Sequence, residues 1–200
     1  VRDLLPREER AGPLGYYRLL TFEHAAALHS AARDCQEGLD ESLFAITPDD
    51  GLHLTLDRIT RDGGSTSEQR ARIAEVAVHA CARQSPFALT IRQLTNMRGT
   101  IAIIVEPSNR VTALRDGLRA ATSSILPDAA VRNTTSAPHV TIAYPIYEEL
   151  TTEAAAAAEA ADTRLDHVSV SVSEVGMVAL ERHGHEYRWE TIARIPLTGP

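Results

Sequence analysis

Two short stretches of the chain carry side chains able to do acid–base chemistry at matched spacing: His53-Leu54-Thr55-Leu56 and His139-Val140-Thr141-Ile142. An extended strand turns residues i and i+2 to the same face. His53 and Thr55 therefore share a face, with Leu52, Leu54 and Leu56 on the opposite, core-facing side. His139 and Thr141 repeat the arrangement over Val140 and Ile142. Imidazole has an ordinary pKa of ~6.5, so one ring can accept a proton and another donate one near neutral pH. Placed on opposite sides of phosphorus, such a pair suits in-line displacement at a phosphodiester. One ring activates the attacking oxygen and the other protonates the departing one. The threonine hydroxyls can donate to the non-bridging oxygens as negative charge grows there. This chemistry calls for no metal or other cofactor, and the sequence offers no carboxylate cluster to hold a metal. A single His-x-Thr is ordinary on a half-exposed strand, whereas two in matching positions of a repeated unit point to function.

The elements that must position these pairs follow from periodicity. Residues 1–15 hold charges, two prolines and two glycines and predict a loose arm, with one two-lobed domain over 16–200. Residues 16–22 predict a strand and 23–36 a helix. A short strand at 43–46 leads through Pro48 and Asp49-Asp50-Gly51 to the alternating strand 52–59. After the turn Asp62-Gly63-Gly64, Ser65 and Glu68 form an expected capping box for a helix reaching about residue 84. Strands 87–94 and 100–106 predict a hairpin, Ser108 or Asn109 caps a helix to about residue 125, and a polar loop runs from Pro127 to Pro138. Strand 139–144, an alanine-rich helix over 152–162 capped by Thr151, and strands 167–172, 176–181 and 187–197 complete the chain. Each His-x-Thr strand is thus followed by a turn, a capped helix and two strands expected to pair. The repeat predicts an α+β fold with two pseudo-symmetric lobes, antiparallel sheets lining a central cleft and helices outside.

Net charge is −7, which disfavours a basic face for long nucleic acid and leaves room for a pocket holding one or two phosphates. Cys35 and Cys81 have no metal-ligand spacing and are expected to be buried, in a reducing, cytoplasmic setting. The longest aliphatic run, 101–105, is too short to span a bilayer, and a monomer is expected. The chain opens on Val, so the native start is expected elsewhere. Tyr16, Tyr17, Phe22 and Trp189 are aromatics that can stack on bases if they reach the cleft, although strand aromatics more often pack in cores. Arg98 sits in a hairpin tip, and His183-Gly184-His185 reads as an exposed turn. His167-Val168-Ser169 also fits His-x-Ser/Thr, but it falls on the strand after the helix. Its first-half counterpart, near Phe87-Ala88-Leu89-Thr90, has no histidine, which demotes it.

The paired motifs, their separation and the repeated element order resemble the 2H phosphoesterase superfamily, which includes bacterial RNA 2′,3′-cyclic phosphodiesterases historically called 2′-5′ RNA ligases. The resemblance covers residues 16–197. It implies His53 and His139 as acid and base, with Thr55 and Thr141 on the phosphate. Some members carry arginine three residues after the second threonine and others tyrosine. Here Tyr144 occupies that place and Arg58 its first-half equivalent, so both are expected at the substrate, with Tyr17 and Trp189 as further contacts. The expected partner is a small nucleotide or an RNA end bearing a cyclic phosphate. The expected activity is metal-independent cleavage of a 2′,3′-cyclic or 2′-5′ phosphodiester. Two other classes compete: a non-catalytic nucleotide or RNA-end receptor, which turnover would exclude, and a metal-dependent phosphodiesterase, which a chelator would inhibit.

Overall fold

The computed structural model describes residues 5–7, 10–129 and 136–200. Among them, nine strands form two sheets in which every strand pair is antiparallel. The first sheet orders β3 (His53–Arg61), β1 (Arg10–Thr21), β8 (Glu174–Gly184) and β9 (Glu186–Pro196). The second orders β2 (Phe44–Ile46), β6 (His139–Pro145), β5 (Thr100–Glu106), β4 (Phe87–Met97) and β7 (Ser169–Val172). Helices α2 (Ser67–Cys81) and α3 (Ser108–Ile125) pack on the first sheet, and α1 (Ala26–Gln36) and α4 (Thr151–Asp162) on the second. The expected α+β architecture is therefore present, and β3 and β6 approach each other between the sheets.

Helix packing follows from the stripes. Leu28, Ala31, Ala32 and Cys35 of α1, and Val111, Leu114, Leu118 and Thr122 of α3, recur at three- and four-residue intervals and are buried. In α4 the buried stripe is Ala154, Ala158 and Ala161, small residues that let the helix lie close to β4 and β5. Burial pushes the Cys35 and Cys81 thiols up to about 11, so both are unreactive core residues.

Four expectations are corrected. First, β1 starts at Arg10, so residues 10–15 belong to the sheet and not to an arm; residues 1–4 and 8–9 lie outside the described residues. Its glycines mimic a loop because the strand is irregular there. Gly15 sits at φ +120, and a Cβ there would collide with the Thr60 carbonyl, so only glycine admits this approach of β3. Second, α2 is capped one residue later, by Thr66 with Gln69 in place of Ser65 with Glu68. Third, Pro107 and Leu150 hold the N-cap positions of α3 and α4 without side-chain caps. Fourth, the two strands after α4 do not pair with each other. Only Ser173 separates β7 from β8, too little for a hairpin turn. β7 joins β4, while the eleven-residue β8 pairs with the long β1 and with β9. The polar loop expected before Pro138 falls partly on residues 130–135, outside the described residues.

Candidate active site

Position in the site is set strand by strand. Thr21 faces His53, Leu20 faces Leu54 and Leu19 faces Thr55 across β1–β3, while Ile104 faces His139 and Ala102 faces Thr141 across β5–β6. The intervening Leu54, Val140 and Ile142 are buried in the main core, which anchors both polar pairs from below. His53, Thr55, His139 and Thr141 all line one cavity of about 290 Å³, together with Tyr17, Tyr144 and Tyr187 among others. A larger cavity of about 440 Å³, lined by residues of the β1–α1 turn and β7, holds neither motif.

The two imidazoles are held in the same way. His53 Nδ1 lies 2.8 Å from the Gly51 carbonyl, and His139 Nδ1 lies 2.9 Å from the Ala137 carbonyl. A carbonyl only accepts, so each ring donates its Nδ1–H to the residue two places before it. Each Nε2 is left without a hydrogen-bond partner among the described residues. For His53 the carbonyl comes from the 3₁₀ turn Asp49–Gly51, which the Asp-Asp-Gly sequence builds just ahead of the strand.

The rings differ in their surroundings. His53 is 8% exposed, with the edges of Trp189 and Tyr187 at centroid distances of 5.2 and 5.8 Å. Burial pulls its pKa below the ordinary imidazole value, with a smaller push in the same direction from His139; the bond to Gly51 only partly opposes them. The shift favours the neutral form of the His53 ring. Burial, reinforced by Tyr187, pushes the Tyr144 phenol well above its ordinary range, against a hydrogen bond with Thr141 and the nearby Arg182. Tyr144 remains a protonated hydrogen-bond donor.

The expected residues do not all converge. Tyr17 and Tyr144 line the cavity with the four motif side chains. Trp189 touches the His53 ring but lines the adjoining cavity with Glu23, Asp50 and Arg188. Arg58 stands opposite Tyr17 in the register and does not line the histidine cavity. Arg58 shares the face of Tyr17 and Thr55 but lies further along β3 than the cavity reaches. Leu56 is an extra residue between the pairs Leu19–Thr55 and Arg18–Asp57, so Asp57 turns inward instead of following Thr55. Tyr16 lies under Arg70 at 4.2 Å, and Phe22 is in the main core, so neither serves the cleft. His167 Nδ1 is 3.2 Å from the Ile91 carbonyl, away from the cavity. Arg98 occupies the hairpin turn at φ 56; the hairpin presents Met97 and Thr100 to the cavity.

Two participants went unread in the sequence. Tyr187 contacts His53 and has its ring centroid 5.4 Å from that of Tyr144. Arg182 lies over both tyrosines, at 5.0 Å from the Tyr144 centroid and 4.3 Å from that of Tyr187. A signal existed for each: Tyr187 is two residues before Trp189, and Arg182 two after Leu180, on strands that alternate faces. Among the described residues there is no group of three or more His, Cys, Asp or Glu side chains that could hold a metal, and no helix long and apolar enough to cross a membrane.

Beneath the site runs a buried ion pair. Arg18, fully buried, donates from Nη1 to Asp57 at 3.3 Å and to the Leu118 carbonyl at 3.0 Å, and from Nη2 to Thr122 at 2.7 Å. It joins β1, the motif strand β3 and α3.

A family model described as "2′-5′ RNA ligase superfamily" matches residues 22–184. No curated protein matches the sequence. Among solved structures, TT0787 of Thermus thermophilus superposes with a TM-score of 0.68 at 16% identity, covering 92% of this chain and 98% of that one. E. coli LigT complexed with 3′-AMP gives a TM-score of 0.68 at 17% identity, covering 94% and 99%. LigT complexed with ATP gives 0.63 at 17% identity over the same shares.

Proposed function

Because the chain belongs to the 2′-5′ RNA ligase superfamily, we propose that it is a metal-independent phosphodiesterase that opens 2′,3′-cyclic phosphates or cleaves 2′-5′ linkages in small nucleotides or RNA ends. The observation that carries this reading is the pair of imidazoles, each fixed through Nδ1 to a carbonyl two residues back and both lining one cavity. In the reaction His53, held neutral, takes the proton of an attacking water. The water oxygen bonds to phosphorus as the bond to the 2′ or 3′ ribose oxygen breaks. His139 in its protonated form delivers a proton to that departing oxygen, leaving a phosphomonoester and a free hydroxyl. Thr55 and Thr141 donate to the non-bridging oxygens, and Tyr144, fixed as a donor, adds to them. Tyr17 and Trp189 offer aromatic surface for a base beside the phosphate.

Two further facts favour short substrates. The acidic chain gains little from a long polyanion. LigT of E. coli, which shares the fold, has been crystallised with 3′-AMP, NADP+, ATP and phosphate. The test is turnover of adenosine 2′,3′-cyclic phosphate and of a 2′-5′ dinucleotide by wild type, His53→Ala and His139→Ala. Each substitution should lower kcat by about 10²–10⁴-fold, in proportion to one lost proton transfer, and chelator should leave the wild-type rate unchanged. Absence of turnover on both substrates, with nucleotide binding retained, would make the cleft a receptor and end the enzymatic reading.

A further inference from the structure

Arg182 is a cation placed at the cleft without a task in the chemistry above. Along β8, Val178 and Leu180 face the small apolar cluster that floors the cleft beside Tyr17, Tyr187 and Trp189. Two residues further on, Arg182 emerges on the same face, paired across the sheet with Tyr187. Its guanidinium carbon lies 5.0 Å from the Tyr144 ring centroid and 4.3 Å from that of Tyr187, and its Nε–H donates to the Gly184 carbonyl at 2.7 Å. The two rings and the Nε bond hold the guanidinium in place. Among the described residues, no carboxylate forms an ion pair with it and neither Nη has a hydrogen-bond partner. A planar cation fixed in this way presents its remaining N–H fork to whatever enters.

The place is informative too. Tyr187 and Leu14 line the histidine cavity and also the next one, so the two are contiguous. The second cavity adds Arg7, Arg182 and His185, with Glu148 and Glu149 on its wall. On the other side of Tyr187 the adjoining cavity carries Glu23, Asp50 and Glu186 against Arg188. The Arg182 side thus sets two guanidiniums against two carboxylates, whereas the Arg188 side sets one against three, and a single tyrosine ring, Tyr187, separates Arg182 from His53.

We propose that Arg182 is a specificity-determining residue that binds a second phosphate of the substrate, one nucleotide removed from the phosphate held between His53 and His139. This rests on the proposed function and adds its polarity: the scissile end lies at the histidines, and the chain continues toward Arg182. The anion recognised is either the 5′-phosphomonoester of a mononucleotide or the next phosphodiester of an oligonucleotide.

The experiment reads binding, so it does not depend on turnover. Calorimetric titration compares adenosine 2′-phosphate, adenosine 2′,5′-bisphosphate and the dinucleotide ApA carrying a terminal 2′-phosphate, on wild type, Arg182→Ala and Arg182→Lys. The second phosphate should tighten wild-type binding by about tenfold, the lower end of what a hydrogen bond to a charged group contributes. That gain should vanish in Arg182→Ala, while adenosine 2′-phosphate binds within about twofold of wild type. Arg182→Lys, which keeps the charge but loses the planar fork, should retain part of the gain. A gain confined to the bisphosphate identifies the monoester as the group read, and a gain with the dinucleotide extends it to the diester. Equal weakening of all three ligands in Arg182→Ala would reduce the residue to a support for the tyrosines and overturn the proposal. So would a wild type that does not distinguish the ligands. Those results leave the catalytic reading standing, whereas failure of every ligand to bind overturns both.

Discussion

Replacing Arg18 by methionine removes a fully buried cation and leaves Asp57, whose side chain is 5% exposed, facing the interior. Three hydrogen bonds go with it, to Asp57, to the Leu118 carbonyl and to Thr122. Desolvation dominates both partners: it pulls the Arg18 pKa down and pushes the Asp57 pKa up, despite their mutual attraction and the nearby Arg119 and Arg115. The pair as a whole therefore adds little net stability, while breaking one side is costly. Losing one partner of a buried pair costs about 3–5 kcal/mol. For a domain of this size that lowers Tm by about 6–20 °C. The loss should depend on pH. Without Arg18 the raised pKa of Asp57 rises further, and a carboxyl with a raised folded pKa favours the folded state below its ordinary value near 3.8 and loses that contribution as pH rises through the folded value. Arg18→Met should thus be least destabilised near pH 5 and most near pH 8. The double variant Arg18→Met/Asp57→Leu should recover to within about 1 kcal/mol of wild type or surpass it. Urea unfolding of the wild type and the variants, including Asp57→Leu alone, at pH 5 and pH 8 measures this. A single variant within about 1 kcal/mol of wild type, or a double variant no better than the singles, would refute the reasoning.

Trp189→Ala opens His53 to water, so its pKa should rise toward the ordinary ~6.5 and the acid limb of the kcat/KM profile, where the base is lost to protonation, should move to higher pH. An unmoved limb would mean that another group sets it. Thr141→Val keeps shape and burial but removes a donor from the phosphate site. The expected cost is about 10²–10³-fold in kcat with a smaller change in KM, checked by steady-state kinetics beside an unchanged circular-dichroism spectrum.

How much of this was legible beforehand differs from residue to residue. The period-two alternation around His53 and His139 is local, so which side chains share a face with each imidazole could be read from the chain. Arg58 shows where that logic stops. The resemblance expects it at the substrate, and the extra residue Leu56 does turn it to the face of Thr55 and Tyr17, yet the cavity ends before it. Trp189 was rightly put on a strand, yet which cavity that strand faces depends on β9 pairing with β8 at a register set across two elements. The early start of β1 escaped notice because glycine and proline signal a loop, whereas β8 on one side and β3 on the other hold residues 10–15 extended.

Local chain chemistry was enough to establish the two His-x-Thr faces, the repeat that sets them in equivalent places, the helix stripes and the acidic balance, since each depends on composition or on neighbours within a few residues. Three things came from the assembled fold alone: the imidazoles share a cavity, β8 and β9 leave the second lobe to complete the first sheet, and Arg182 lies against both Tyr144 and Tyr187. Those contacts join strands far apart in the chain. Hydrogen bonding in a sheet is the same for any two edges, so the choice among partners is made by the packing of the whole.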